Sequence, residues 1–440
     1  MAEKQLDCTF TAGEHQKARF VQLRKDVFEK QQPYAIIQAD MPFELFQAMD
    51  VPVVSIQWWA SIISAKRLSA YYLDILNSQG FHEGLCRYCS LAAASTLAND
   101  PDRAPWGGLP KPALLCARLT CDCLQRVFGI WADAFGAEYF FLDNPGATEL
   151  PPRWWEYSRS RWRELFEEHR LTFTVIQLQS LIKALERITG RAFQIDRLHD
   201  LMERVNRQEE YFEEAYQMIC SAPKTPVRMH EQVANVMAAQ WERGSDWAVE
   251  HARAFRDEIQ KRVTQEVAAC PNERLRLMWV GAGLWHDTDF YTAFEEEFGA
   301  VFVWSMYLAF GPDGYIRYGL DDPLLALASR TVSMNEQLHN PPWANEWIIH
   351  HARQNRIDAA LVLTPLGTKP AATGNRFIER ALEEAGIPVL PIIADMVDAR
   401  GWDPKAMRRK VSEFLTLRVL SRTNNATTCC DSNSPQRRKD

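Results

Sequence analysis

A chain of 440 residues exceeds what one hydrophobic core usually serves, so two or three domains are expected. Hydrophobic content of 47% beside 24% charged residues excludes bulk disorder, and 15 Trp with 22 Phe point to large aromatic interiors or pockets. The formal net charge of -7 lacks the basic excess that phosphate-backbone binding needs, which argues against nucleic acid as a partner.

The opening stretch MAEKQLDCTFTAGEHQKARF is charged and has no secretory apolar run, so the cytoplasm is the expected compartment. No window reaches the ~18 apolar residues of a membrane-spanning helix. Even WWASIISAKRLSAYYLDIL is broken by Lys66 and Arg67, so no membrane association is expected. In a reducing compartment the ten cysteines read as buried small hydrophobes, reactive thiols or metal ligands rather than as a disulfide frame.

In chain order, residues 14–32 read as a charged helix and PYAIIQAD (33–40) as a buried strand. MPFELFQAMDVPVVSIQWW gives a helix, a turn and a second strand at 53–57; SAKRLSAYYLDILNSQGF gives an amphipathic helix stopping near Gly80. Cys86-x-x-Cys89 is placed at a helix end. PKPALLCARL (110–119) reads as a Pro-bounded strand, CDCLQRVFGIWADAFG as the helix that follows directly, and EYFFLDNPG (138–146) as the next strand. Between about 150 and 270 the pattern turns helical, with LTFTVIQL the one strand-like run and RQEEYFEEA read as a solvated helix face.

From RLRLMWVGAG (274–283) the α/β rhythm resumes through helix DFYTAFEEEFG, strands AVFVWSM and DAALVLTPL, helix NRFIERALEEAG and strand IPVLPIIAD. The predicted fold is α/β, with two Rossmann-like or flavodoxin-like parallel-sheet domains at 1–150 and 271–420. A helical region at 151–270 lies between them, and a polar tail at 421–440 carrying Cys429 and Cys430 is expected to be disordered.

Cys86, Cys89, Cys121 and Cys123 offer four thiols that one folded domain can bring together. The spacing fits zinc loosely and an iron-sulfur cluster equally well, with buried structural cysteine as the plain alternative. A helix start at Cys121 and Cys123 would favour thiolate through its free N–H groups. WVGAGLWHD (279–287) has His286 where a dinucleotide fingerprint needs Gly, so it reads as a tight turn. His350 and His351 are adjacent on a helix, point apart and are read as structural, and the Trp pairs at 58–59 and 154–155 are read as packing.

Taken together, these segments resemble the 2-hydroxyacyl-CoA dehydratase and class I benzoyl-CoA reductase subunits. MPFELFQAMDVPVV is similar to that family's opening strand-helix segment, GFHEGLCRYCS to its first cysteine segment and RLTCDCLQRVF to its second. RLMWVGAGLWHDTDFYTAFEEEFGAVFV and ERALEEAGIPVLPIIADMVD resemble the start and the last helix-strand unit of its second domain.

The resemblance implies a [4Fe-4S] cluster held by Cys86 and Cys121. The family's third cysteine, from a Cys-Lys step, is replaced here by Thr368 in GTKPAATGNRF. Cys89 or Cys123 is the expected substitute; a non-cysteine ligand, the substrate, or an incomplete cluster are the alternatives. The implied partners are a homologous sister subunit, an ATP-hydrolysing iron-sulfur activator, ferredoxin as electron donor and an aryl-CoA substrate. No GxxxxGK[ST] loop is present, which agrees with ATP hydrolysis residing in another subunit.

SIQWWASIISAKRL, CRYCSLAAAS and RAPWGGLPKPALL look closer to the benzoyl-CoA reductases, oxygen-sensitive enzymes of anaerobic aromatic degradation that reduce the ring of benzoyl-CoA to a cyclic dienoyl-CoA by radical chemistry. The alternatives are a 2-hydroxyacyl-CoA dehydratase subunit working through a ketyl radical and a non-catalytic scaffold subunit of such a complex. No role is assigned to His82, Glu83, Asp122 or Asn144.

Overall fold

Each half of the chain has four short strand runs, of which three are buried almost throughout, as expected for parallel strands covered on both faces, and the last is partly exposed. In the computed structural model they form two four-stranded parallel sheets. The structure describes residues 5–82, 84–120, 122–143, 145–146, 149–338, 343–368 and 373–421, leaving aside the side chains of 122, 332 and 334–338. The first sheet comprises β1 (Ala35–Ile37), β2 (Val53–Ser55), β3 (Leu114–Arg118) and β4 (Glu138–Leu142) in the order β2-β1-β3-β4. The second comprises β5 (Leu275–Val280), β6 (Ala300–Ser305), β7 (Ala359–Pro365) and β8 (Val389–Ala394) in the order β6-β5-β7-β8.

Both sheets therefore reverse their strand order at the same place, between their first and third strands. Open parallel sheets bind ligands outside the carboxyl ends of their strands at such a reversal. Ile37 pairs with Cys116 across the first reversal, and Val280 with Val362 across the second. Gly281 leaves β5 with φ 117 and lies against Leu363, where a Cβ would come within 3.0 Å of the Leu363 Cβ. WVGAG is thus a tight turn that needs glycine for its backbone and its packing.

Along the chain between the two sheets come the helices Glu168–Thr189, Ile195–Ser221, Met229–Gln240 and Asp246–Thr264. LTFTVIQL belongs to the first of these rather than to a strand. Its buried positions Leu171, Thr174 and Leu178 continue through Leu181, Ile182 and Leu185 at helical spacing, which overrides the local β-branched bias. The helix expected at DFYTAFEEEFG is two single turns, Thr288–Thr292 and Glu295–Phe298. The N-terminal helix Asp7–Lys30 packs on the middle helices: Gln16 donates to the Ala238 carbonyl at 3.1 Å, and His15 stacks on Trp247 at 3.8 Å. Among the described residues no helix is long and apolar enough to cross a membrane. The tail beyond Ser421, with Cys429 and Cys430, lies outside the described residues.

RQEEYFEEA is not a solvated face throughout. Gln208 and Glu209 are fully buried, and Glu209 accepts from Gln208 at 2.8 Å and Gln240 at 2.6 Å. Nearby, Glu44 is buried between Arg243 (2.8 Å) and Arg330 (2.6 Å). His351 is structural as expected, bridging the Tyr216 hydroxyl at 2.8 Å and the Asp313 carboxylate at 2.9 Å.

Burial pushes the Glu209 carboxyl up to about 7 despite the opposing pull of Gln240, Arg243 and Arg330. A carboxyl that binds its proton more tightly when folded stabilises the fold fully below its unfolded pKa and loses that contribution as pH rises through about 7. Glu209→Gln is expected to flatten the fall in thermal stability between roughly pH 5 and pH 8. A decline as steep as that of the wild type would place the titrating group elsewhere.

Candidate functional site

The cysteine segments sit at helix starts. Cys86 is the N-cap residue of the helix Arg87–Leu97, and Cys89 lies in its first turn, so Cys86-x-x-Cys89 opens a helix rather than ending one. The preceding helix, Ser69–Ser78, has already ended, and Gly80 follows at φ 86. Cys123 lies in the first turn of the helix Asp122–Phe135, directly beyond β3. Free N–H groups at both helix starts favour anionic sulfur.

The Cys86 amide donates to Cys123 Sγ at 3.2 Å, which brings the two segments together. Cys121 lies outside the described residues. Cys86 is fully buried and Cys89 is 8% exposed. Cys116 belongs elsewhere: it is inside β3, and burial holds its thiol well above the usual range.

The second sheet reaches this place through the turn after β7. Gly367, at φ +74, lies against the Leu85 carbonyl, and the next residue, Thr368, places Oγ1 3.1 Å from Cys86 Sγ. Thr368, which stands where the resemblance puts the family's third cysteine, thus meets Cys86 from the opposite sheet. Arg87 extends the junction, pairing with Asp395 at 3.2 Å and Asp398 at 3.4 Å just past β8. Asp395 Oδ1 accepts the amides of Val397 and Asp398, and the Asp395 carbonyl accepts from His286 Nε2 at 2.9 Å.

Beside the junction lies a cavity of about 630 Å³ between the carboxyl edges of the two sheets. Its size suits a bound small molecule or acyl group. Tyr88, carried between the two cysteines of the first segment, is one wall. Trp58 and Trp106, 5.9 Å apart and stacked at 23°, form another, and Trp285 and Tyr307 face them from the second sheet. Trp106 holds a left-handed backbone (φ 48, ψ 33), a conformation that costs energy in a bulky residue and clusters at functional sites.

Polar side chains share this lining, among them Gln16, Lys17, Gln57, Gln240 and Arg243. Gln38 and Asp40 follow β1, Ser305 ends β6, and His230 comes from the helix Met229–Gln240. Asp40 Oδ1, Ser305 Oγ and His230 Nδ1 are buried without a hydrogen-bond partner among the described residues, as suits groups kept for a ligand or water. Burial, then the neighbouring Tyr307, pushes the Tyr88 phenol well above its usual range, and burial raises Tyr307 as well, so both remain protonated donors. Burial lowers His230.

Sequence reasoning left these residues unassigned, although the positions just past β1 and β6 are where the parallel-sheet rule points. Of the residues left without a role, Glu83 and Asn144 and the side chain of Asp122 lie outside the description. Among the described residues, the one compact group with metal-ligand spacing is His199, Asp200 and Glu203, which is remote in sequence from the cysteines and partly exposed.

A family profile described as 2-hydroxyglutaryl-CoA dehydratase, D-component, matches residues 38–416. The chain belongs to that family. It is therefore a 2-hydroxyacyl-CoA dehydratase-type component, and the matched span includes both sheets, both cysteine segments and Thr368. No curated protein matches the chain.

Breaking the ion pairs across the junction should loosen it. Arg87→Ala is expected to cost about 1.5–3 kcal/mol, the range for hydrogen bonds to charged groups, read as a lower urea midpoint. An unchanged midpoint would show that Arg87 does not couple the sheets.

Proposed function

We propose that the chain is a cluster-bearing subunit of an aryl-CoA reductase of the benzoyl-CoA reductase type. The observation that carries this reading is the aromatic cavity with Tyr88 of the cysteine segment in its wall. An aryl ring can lie against Trp58 and Trp106, and a site that handles radicals gains from walls that exclude water. In this reading the chain works as two sheet domains, 1–150 and 271–420, joined by the helical region 151–270.

The donor set suits an iron-sulfur group. Sulfur ligands at two helix starts are close enough for the Cys86 amide to bond Cys123 Sγ. Cys86 and Cys121 would hold a [4Fe-4S] cluster, with Cys123 or Cys89 as further thiolate. Such a cluster, when bound, supplies one-electron transfer at low potential. The chain's own residues orient the acyl group on the Trp walls, exclude water, and keep the phenolic protons of Tyr88 and Tyr307 at the cavity surface. Reduction of the ring takes up two electrons and two protons; the electrons come from ferredoxin through an ATP-hydrolysing iron-sulfur activator, with a homologous sister subunit completing the enzyme in the cytoplasm.

The family match favours a second reading, a 2-hydroxyacyl-CoA dehydratase subunit acting through a ketyl radical. An anaerobic assay of the reconstituted complex with benzoyl-CoA and with a 2-hydroxyacyl-CoA separates the two. Dienoyl-CoA formation is expected; loss of water from the hydroxyacyl thioester with no ring reduction would replace the first reading by the second. Trp106→Ala is expected to raise KM for benzoyl-CoA about 2- to 13-fold, from the ~0.5–1.5 kcal/mol of an aromatic pair; an unchanged KM would remove Trp106 from the acyl site.

Cys121→Ser is expected to abolish bound iron and activity together, whereas Cys8→Ser, at a buried residue of the N-terminal helix whose backbone amide donates to Glu258, should leave both intact. Iron retained by the first variant or lost from the second would refute the ligand assignment.

A further inference from the structure

Thr368 contacts the cysteine segment from the opposite sheet. Its hydroxyl lies 3.1 Å from a sulfur that is itself fully buried. The approach is built in: β7 ends at Pro365, Gly367 turns with φ +74 against the Leu85 carbonyl, and the hydroxyl is delivered one residue later. Either atom of a free thiol-hydroxyl pair can donate, but a metal-bound thiolate has no proton, so the hydroxyl must then be the donor.

Building on the iron-sulfur reading above, we infer that Thr368 is a positioning and tuning residue. It donates a hydrogen bond to Cys86 Sγ and sets the reduction potential of the group that Cys86 holds. A hydrogen bond to a ligand sulfur stabilises the more negative, reduced state and so raises the potential. Because Thr368 belongs to the β7 turn and Cys86 to the first sheet's edge, the same bond makes the potential depend on how the two sheets meet. The Arg87 pairs to Asp395 and Asp398 hold the neighbouring residue at that distance. Thr368 is half-buried, so the change to Val removes the hydroxyl with little change of shape and without emptying a core position.

The test is iron content, a reductive titration followed by electron paramagnetic resonance, and the resonance line shape, on the anaerobically purified full chain and its Thr368→Val and Thr368→Ser variants. Thr368→Val is expected to keep its iron, shift its midpoint potential to more negative values and change its g-values, while Thr368→Ser behaves as wild type. A Val variant with the wild-type potential and spectrum would overturn the inference. Loss of iron from the Val variant would also overturn it, by making Thr368 a ligand instead of a donor. Absence of iron from the wild-type chain would remove the iron-sulfur reading, and the inference with it.

Discussion

The cysteine segment is held in place from the far side of the molecule. Arg87 spans from the first sheet to Asp395 and Asp398 behind β8, and Thr368 comes up from the β7 turn to touch Cys86. Parallel strands make this possible, because all eight deliver their carboxyl ends, with the turns that follow, to one edge of their sheet. Two such edges facing each other enclose a space that neither sheet could form alone. The fully buried Ile36, Leu115, Trp279 and Leu361 lie in one continuous core, so the two edges are carried on shared packing rather than on a flexible joint.

That enclosed space explains the aromatic composition. Trp58, Trp106, Trp285 and Tyr307 line the cavity, and three of its polar atoms, on Asp40, His230 and Ser305, lack partners among the described residues. In the proposed reading, aromatic walls beside the cysteine segment would suppress side reactions of reactive intermediates, while phenols held protonated by burial preserve hydrogen-bond donors within them. The N-terminal helix and the helix Met229–Gln240 close the remaining side, the latter contributing His230.

Much of this was legible in the residues. Runs such as LRLMWV and AVFVWS are continuous and apolar because parallel strands are covered on both faces, and they identify the sheets without further help. The family, too, could be read from the order of its cysteine segments, and the match over residues 38–416 agrees. Local bias misled where tertiary packing decides. LTFTVIQL has strand-like residues at helix-like spacing, and the sequence pattern puts Cys86 at a helix end, after a helix stopping near Gly80, whereas it starts the next helix. Glu209 looked solvated because its neighbours are charged, yet it faces a buried polar network. The cavity was not legible because its walls come from segments scattered between Thr9 and Tyr315, and no local pattern encodes their meeting.

The central claim is that the edge-to-edge meeting of the two sheets builds a redox site from Cys86 and its neighbours. Iron, acid-labile sulfide and electron paramagnetic resonance on the anaerobically purified wild-type chain test it most directly. Near-stoichiometric four-iron, four-sulfide content with a signal on reduction is the expected result. Zinc, or no metal, in the chain both alone and with its sister subunit would contradict the account and leave the cysteine segments as a structural junction.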